Sequence, residues 1–155
     1  MRNRRLVSAL SLALPVLAAG AFSRPVEAQG LQYFAITPCR AVDTRSGNGG
    51  IIQAGGPPFR TFTIKTVCGV PGTAKAVSLN LTIISPTADG FFSMWPYGGA
   101  FPVVSTINFV AGDPAIANGA IVPLAAGTPD LSSGYGTAGG SATTHALMDV
   151  TGYFQ

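Results

Sequence analysis

Lys75-Ala-Val-Ser-Leu-Asn-Leu-Thr-Ile-Ile84 is the stretch on which the fold turns. Val77, Leu79, Leu81 and Ile83 fall on one parity, and Ser78, Asn80 and Thr82 on the other. Period-two alternation with β-branched enrichment is the pattern of a strand that lays one face on a core and gives the other to water. No other segment alternates for so long, so it reads as the inner strand of a β-fold.

Outward from it the same signals recur in shorter form. Residues 91–96, Phe-Phe-Ser-Met-Trp-Pro, follow the turn at Asp89-Gly90 and are expected to pair with the central strand as an antiparallel hairpin. Residues 60–66 alternate, with Phe62 and Ile64 on one side, and residues 103–110 set Thr106 and Asn108 opposite Ile107 and Phe109. Residues 32–36 make a first strand ended by Thr37-Pro38. Residues 117–124 are apolar, but Pro123 sends them to an edge or a strand end. Residues 144–154 close the chain, with Ala146, Met148, Val150 and Phe154 on one parity. The Gly-rich run 46–58 reads as a functional or mobile loop, and residues 125–140 as a Gly/Ser/Thr/Ala loop with room for one short strand. Seven to nine short strands with turn chemistry between them predict an all-β fold. It is an antiparallel β-sandwich of jelly-roll or Ig-like topology, with a barrel as the alternative.

Composition agrees. Hydrophobic residues make up 47% of the 155-residue chain and charged residues only 10%, against a usual ~25% charged. Met1-Arg-Asn-Arg-Arg5, the apolar run 6–21 and Val26-Glu-Ala28 have the layout of a secretory signal peptide. The expected division is therefore a leader over 1–28 and one domain over 29–155, with no membrane span in the mature chain. Cutting after Ala28 leaves five basic residues (Arg40, Arg45, Arg60, Lys65, Lys75) and five acidic ones (Asp43, Asp89, Asp113, Asp130, Asp149), so the mature charge is about zero. A basic surface for nucleic acid is thereby excluded. Cys39 and Cys68 are the two cysteines; in an exported chain they read as one disulfide, the alternative being two buried free thiols. One His and two distant Cys do not supply a zinc site, and neither metal nor cofactor is expected.

Several of these stretches together resemble a secreted module of environmental bacteria. Thr37-Pro-Cys-Arg40 with Asp43-Thr-Arg45, Cys68-Gly-Val-Pro71, Ala74-Lys-Ala-Val-Ser-Leu-Asn-Leu-Thr82, Ser105-Thr-Ile-Asn-Phe109 and Asp149-Val-Thr-Gly-Tyr-Phe154 carry the resemblance. They span nearly all of the mature chain. The similar modules are appended to, or repeated in, exported and cell-surface proteins. The resemblance implies an extracellular accessory domain and brings no catalytic residues with it. Here the module is expected to stand by itself behind the leader.

Candidate chemistry is sparse. The mature chain has no Glu and a single His. His145 and Asp149 are ~13 Å apart if both lie on a strand rising about 3.3 Å per residue, too far for an orienting dyad. No Gly-x-Ser-x-Gly elbow is present. A hydrolase would need two of the five Asp to converge. Asp43-Thr-Arg45 is either a recognition site with a planar guanidinium fork or a structural network in which Asp43 caps a turn. Trp95 and Tyr97, beside Gly98-Gly99, are either core and rim packing or a stacking platform for sugar rings. Asp149 is expected to accept hydrogen bonds from backbone or Arg, because a lone buried carboxylate is costly. The reading is a non-catalytic secreted, cell-surface or periplasmic module for adhesion or assembly, meeting an envelope or extracellular glycan or protein, or itself. Glycan binding through Trp95 and Tyr97 is the alternative.

Overall fold

The computed structural model describes residues 30–155, so the leader expected over 1–28 lies outside the described residues. Nine strands follow in order: β1 (Tyr33–Asp43), β2 (Ile52–Gln53), β3 (Arg60–Phe62), β4 (Ala76–Ile84), β5 (Gly90–Pro96), β6 (Ile107–Phe109), β7 (Ile116–Pro123), β8 (Leu131–Gly136) and β9 (Thr143–Phe154). One sheet runs β1-β9-β4-β7, with β2 also on β9, and the other runs β3-β8-β5-β6. Both are antiparallel, and neither closes into a barrel.

The pairs are nested: β1 with β9, β3 with β8, β4 with β7, β5 with β6. A chain folded as one long hairpin and rolled up gives this order, the jelly roll. Its axis is the stretch that the alternation singled out. Val77, Leu79, Leu81 and Ile83 of β4 are all buried, and Ala146, Met148 and Val150 of β9 extend the same face. Burial of each large aliphatic side chain contributes roughly 1.5–3 kcal/mol.

The hairpin expected between β4 and β5 does not form. β5 pairs with β8 and β6 in the facing sheet, while β4 lies between β9 and β7. At the crossing Ser85 takes a left-handed φ of 47° and donates its N–H to the Asp113 carbonyl at 3.1 Å. The reason is coverage. A hairpin would set β5 beside β4 and leave the apolar face of β4 bare, whereas the crossing brings buried Phe92 and Met94 into the same core.

Residues 125–140 do hold one short strand, β8, and it takes an inner place between β3 and β5. Leu-Ser-Ser-Gly-Tyr-Gly reads as loop because its small residues are space for neighbours. A Cβ at Gly134 would meet Phe101 at 2.8 Å and Phe59 at 3.2 Å, and one at Gly136 would meet the Phe91 ring at 2.2 Å. At the other end, the strand expected over 103–110 contracts to β6, leaving Val103 and Val104 exposed. β1 runs on past Pro38 by slipping register against β9 between Ala35 and Cys39, as an edge strand can. The run 46–58 is held: Arg60 donates to the carbonyls of Asn48 and Ile51, both at 3.0 Å. Within it Ile52 and Gln53 pair with Thr144 and Thr143, and Ala54 bridges Tyr135.

Cys39 and Cys68 form a disulfide with Cα atoms 5.7 Å apart, tying β1 to the turn that leads into β4. With a separation of 29 residues, the bond closes a loop in the unfolded chain too, and the entropy so removed from that chain stabilises the fold by roughly 3–4 kcal/mol. Replacing both cysteines by serine is expected to lower the urea-unfolding free energy by about that amount. An unchanged midpoint would show that the link constrains nothing in the unfolded chain.

Candidate functional site

The outward face of the β1-β9-β4-β7 sheet is built by the residues that alternate with the core. Cross-strand register sets Arg40 beside Asp149, Asp149 beside Asn80, and Asn80 beside Gly119, one row across four strands. The next row is Asp43, Leu147, Thr82 and Ala117. The two halves of this face differ in chemistry. The β4/β7 half carries Ser78, Asn80, Thr82, Ala117, Gly119 and Ile121 and no ionisable group. Gly119 has nothing within 4 Å of where a Cβ would sit. It contributes to a shallow depression of about 440 Å³ lined by Ser78, Asn80, Gly119, Ile121 and Thr151. Ser78 and Thr151 share a hydroxyl hydrogen bond of 3.1 Å along its floor.

The β1/β9 half is charged and self-paired. Arg40 donates from Nε and Nη2 to the two oxygens of Asp149 at 2.8 and 2.9 Å. Arg45 does the same to Asp43 at 3.0 and 2.7 Å, and its backbone N–H adds a bond of 3.0 Å to Asp43 Oδ1. Arg40 Nη1 lies 3.8 Å from Asp43, joining the two pairs. The side-chain bonds from Arg45 lead in holding the Asp43 carboxyl down at about 2 against an ordinary 3.8, with the Arg45 amide and the nearby charges adding to them. Asp43 and Arg45 thus make a structural turn whose guanidinium fork is already occupied. Asp149 finds its expected Arg.

Trp95 lies on β5 of the other sheet and Tyr97 in the turn just past that strand, whereas Asp43 ends β1 and Arg45 lies in the turn after it. Trp95 is 5% exposed. Its ring meets Phe59 and Phe101 edge-on at 5.1 and 5.2 Å, and its indole N–H donates to the Gly99 carbonyl at 3.0 Å. A ring covered in this way offers no face to a sugar, so packing decides its place. Tyr97 is 47% exposed. The open aromatic surface is instead a groove of about 360 Å³ with Phe59, Phe91 and Phe101 along it and Gly55-Gly56 at its rim. A second depression of about 310 Å³, with Gln53, Arg60 and Ser133, shares Gly55, Gly56, Phe59 and Tyr135 with it.

Of the remaining ionisable groups, Asp130, Lys65, Asp89, Asp113 and His145 are hydrogen-bonded within the chain. Asp130 has no exposed surface, and its two oxygens accept the N–H groups of Ile64 and Lys65 at 2.9 Å each. Lys65, itself buried, donates its ammonium to the Ala125 carbonyl. Asp89 accepts the Ala111 N–H at 2.7 Å and Asp113 the Val110 N–H at 3.1 Å, so these two carboxylates secure one turn. His145 Nδ1 lies 3.1 Å from the Thr44 hydroxyl, which also accepts the Ala146 N–H at 2.9 Å. Sequence reasoning missed Asp130 as a buried fastener and Gly119 as the floor of a depression. The flanking Pro129 and the alternation of Leu131-Ser-Ser were the available signals for the first; the second had none, because it depends on which strand lies beside β4.

Among the described residues no group of three or more His, Cys, Asp or Glu is placed to hold a metal ion. No helix there is long and apolar enough to cross a membrane. No protein-family model, curated protein or solved structure matches the chain.

The charged half gives a direct test. A carboxyl whose folded value is depressed adds stability that is complete above the ordinary 3.8 and is lost as pH falls through about 2. NMR titration of the Asp43 side-chain carbon is expected to show a midpoint at about 2, rising toward 3.8 in Arg45→Ala. A wild-type midpoint at the ordinary value would mean that the pair does not hold in solution.

Proposed function

We propose that this chain is a non-catalytic exported β-module, at the cell surface or outside it, that works by contact: adhesion to envelope or extracellular material, or assembly. The observation that carries the reading is the use made of its ionisable groups. Each of the five aspartates accepts hydrogen bonds from backbone amides or from arginine. A catalytic acid or base has to present a lone pair or proton to a substrate. The broad open surface that remains is the neutral hydroxyl and amide face around Asn80, suited to many weak hydrogen bonds. The disulfide and the leader-like first 28 residues support export, and the motifs shared with secreted bacterial modules point the same way.

The purified mature chain is expected to co-sediment with isolated bacterial envelope fragments. Asn80→Lys with Thr82→Lys is expected to weaken that binding by about tenfold or more, equivalent to ~1.4 kcal/mol, with thermal unfolding unchanged. Absence of co-sedimentation, or hydrolytic turnover of envelope polysaccharide, would refute the reading.

A second reading, glycan binding, draws on the aromatic groove. Phe101 stacks on Phe59 at 5.2 Å and remains partly exposed, so a sugar ring has a surface there that Trp95 does not offer. Occupancy is expected to shift Trp95 fluorescence, because Trp95 touches both rings, and Phe101→Ala is expected to abolish glycan-array signals. Array signals that survive Phe101→Ala would remove the groove from consideration.

A further inference from the structure

A sheet of this kind has edges, and an edge strand displays unpaired N–H and C=O groups that accept another strand. The edge strands here are not alike. β2 has two residues and β3 and β6 three each, too short to template a partner. β1 is broken by two register irregularities and carries Pro38 and Arg40. These are the usual guards. β7 has none of them: its register against β4 is unbroken over eight residues, it carries no charge, and its single proline is its last residue. Among the described residues no strand lies beyond it.

The phase of its hydrogen bonding follows from the bond of 2.8 Å between the Leu124 N–H and the Lys75 carbonyl. Backbone groups alternate sides along a strand. Ile116, Asn118, Ala120 and Val122 therefore turn theirs to β4, and Ala117, Gly119 and Ile121 turn theirs outward. All three of these residues are exposed. None is proline, so each offers one donor and one acceptor.

We propose that a second copy of this chain pairs with β7 antiparallel, about a two-fold axis through Gly119. In that register Gly119 exchanges both hydrogen bonds with its symmetry mate, and Ala117 does so with Ile121 of the second copy in each direction. All three outward residues are used. A shift of the axis toward the C-terminus would need an N–H from Pro123, which has none, and a shift the other way would draw on Ala115, outside the strand. Two uncharged strands meet with no like charges to oppose them. Ile121, 65% exposed in the single chain, comes to lie beside Ala117 of the partner on the outward face. The rows Arg40-Asp149-Asn80-Gly119 of the two copies join end to end, and the two depressions over Gly119 merge into one neutral trough. This inference rests on the contact reading above and specifies assembly through the same face.

Sedimentation equilibrium of the mature protein from about 1 µM to about 1 mM, the range in which a small interface dissociates, tests it. Wild type is expected to shift from monomer to dimer. Gly119→Lys, whose Cβ has open space, is expected to stay monomeric with unchanged thermal unfolding, because the two new ammonium groups face each other across the axis. Gly119→Asp is expected to behave likewise. An equimolar mixture of the two variants is expected to recover dimer as the mixed species, since residue 119 meets itself. Should Gly119→Lys fail to fold, Ile121→Lys, on the outward face, takes its place as the dimer-weakening variant. A strictly monomeric wild type, or a dimer indifferent to both substitutions, overturns the pairing. Co-sedimentation with envelope fragments, measured in parallel on wild type and Gly119→Lys, reports separately on the contact reading.

Discussion

The rolled hairpin obliges the chain to leave one sheet for the other again and again, and each departure takes amides and carbonyls out of the ladders that would satisfy them. An unsatisfied buried backbone group costs about 1–3 kcal/mol, so the crossings dictate where polar side chains must go. Asp130 meets this demand at the end of β3 with two backbone amides, and Lys65 returns to the Ala125 carbonyl near the same crossing. Arg60 holds the run between β1 and β3 by two carbonyls, and Asp89 and Asp113 fasten the turn from β6 to β7. Thr44 ties the end of β1 to Ala146 and His145. The few charged residues of this chain are therefore largely its joints, and the scarcity of chemistry on its surface follows from the topology.

That same topology explains what was legible beforehand. Alternation reports which face of a strand is buried, and it was right for β4 and for β9 as far as Val150, where Val77, Leu79, Leu81, Ile83, Met148 and Val150 are buried. Past the register shift Tyr153, and not the expected Phe154, lies opposite Val77 and packs on the core. Pro123 correctly sent β7 to an edge, and the isolated cysteine pair is the disulfide. Alternation does not report which strand lies alongside. β5 follows β4 after a short turn, and local rules favour a hairpin; the need to cover the β4 face from across the core overrode them. β8 was legible only as room for a short strand, for a different reason. Its Ser-Ser-Gly-Tyr-Gly has little hydrophobic signal of its own, because Gly134 and Gly136 lie under rings supplied by residues 59, 91 and 101. Trp95 could be read either as packing or as a platform for the same cause: its cover comes from Phe59 and Phe101, which its own neighbourhood in sequence does not announce.

Low charge density also changes how edges are protected. Many β-proteins blunt an edge with lysine or glutamate, and the described residues, with five of each sign mostly committed to joints, have few to spare. Protection falls to irregular register and proline on β1 and to brevity on β3 and β6. β7 receives neither device. Such an edge is either a hazard or an interface, and the two differ in whether the pairing is limited to one register. Pro123 and the end of the strand at Ile116 supply that limit.

Glycines separate the two outward faces more sharply than any polar residue does. On β8 a methyl group at Gly134 or Gly136 would collide with aromatic rings, so these glycines mark a face that the chain has already roofed with its own loops. Gly119 has open space where its side chain would be, and its row neighbours Asn80 and Asp149 belong to strands on one side only. No internal packing demand asks for glycine there. What a missing side chain does provide at that position is close approach, both to the amide of Asn80 and to whatever backbone comes alongside β7. One face is thus closed by glycine and the other kept open by it, and the open face is the one that continues to an unguarded edge.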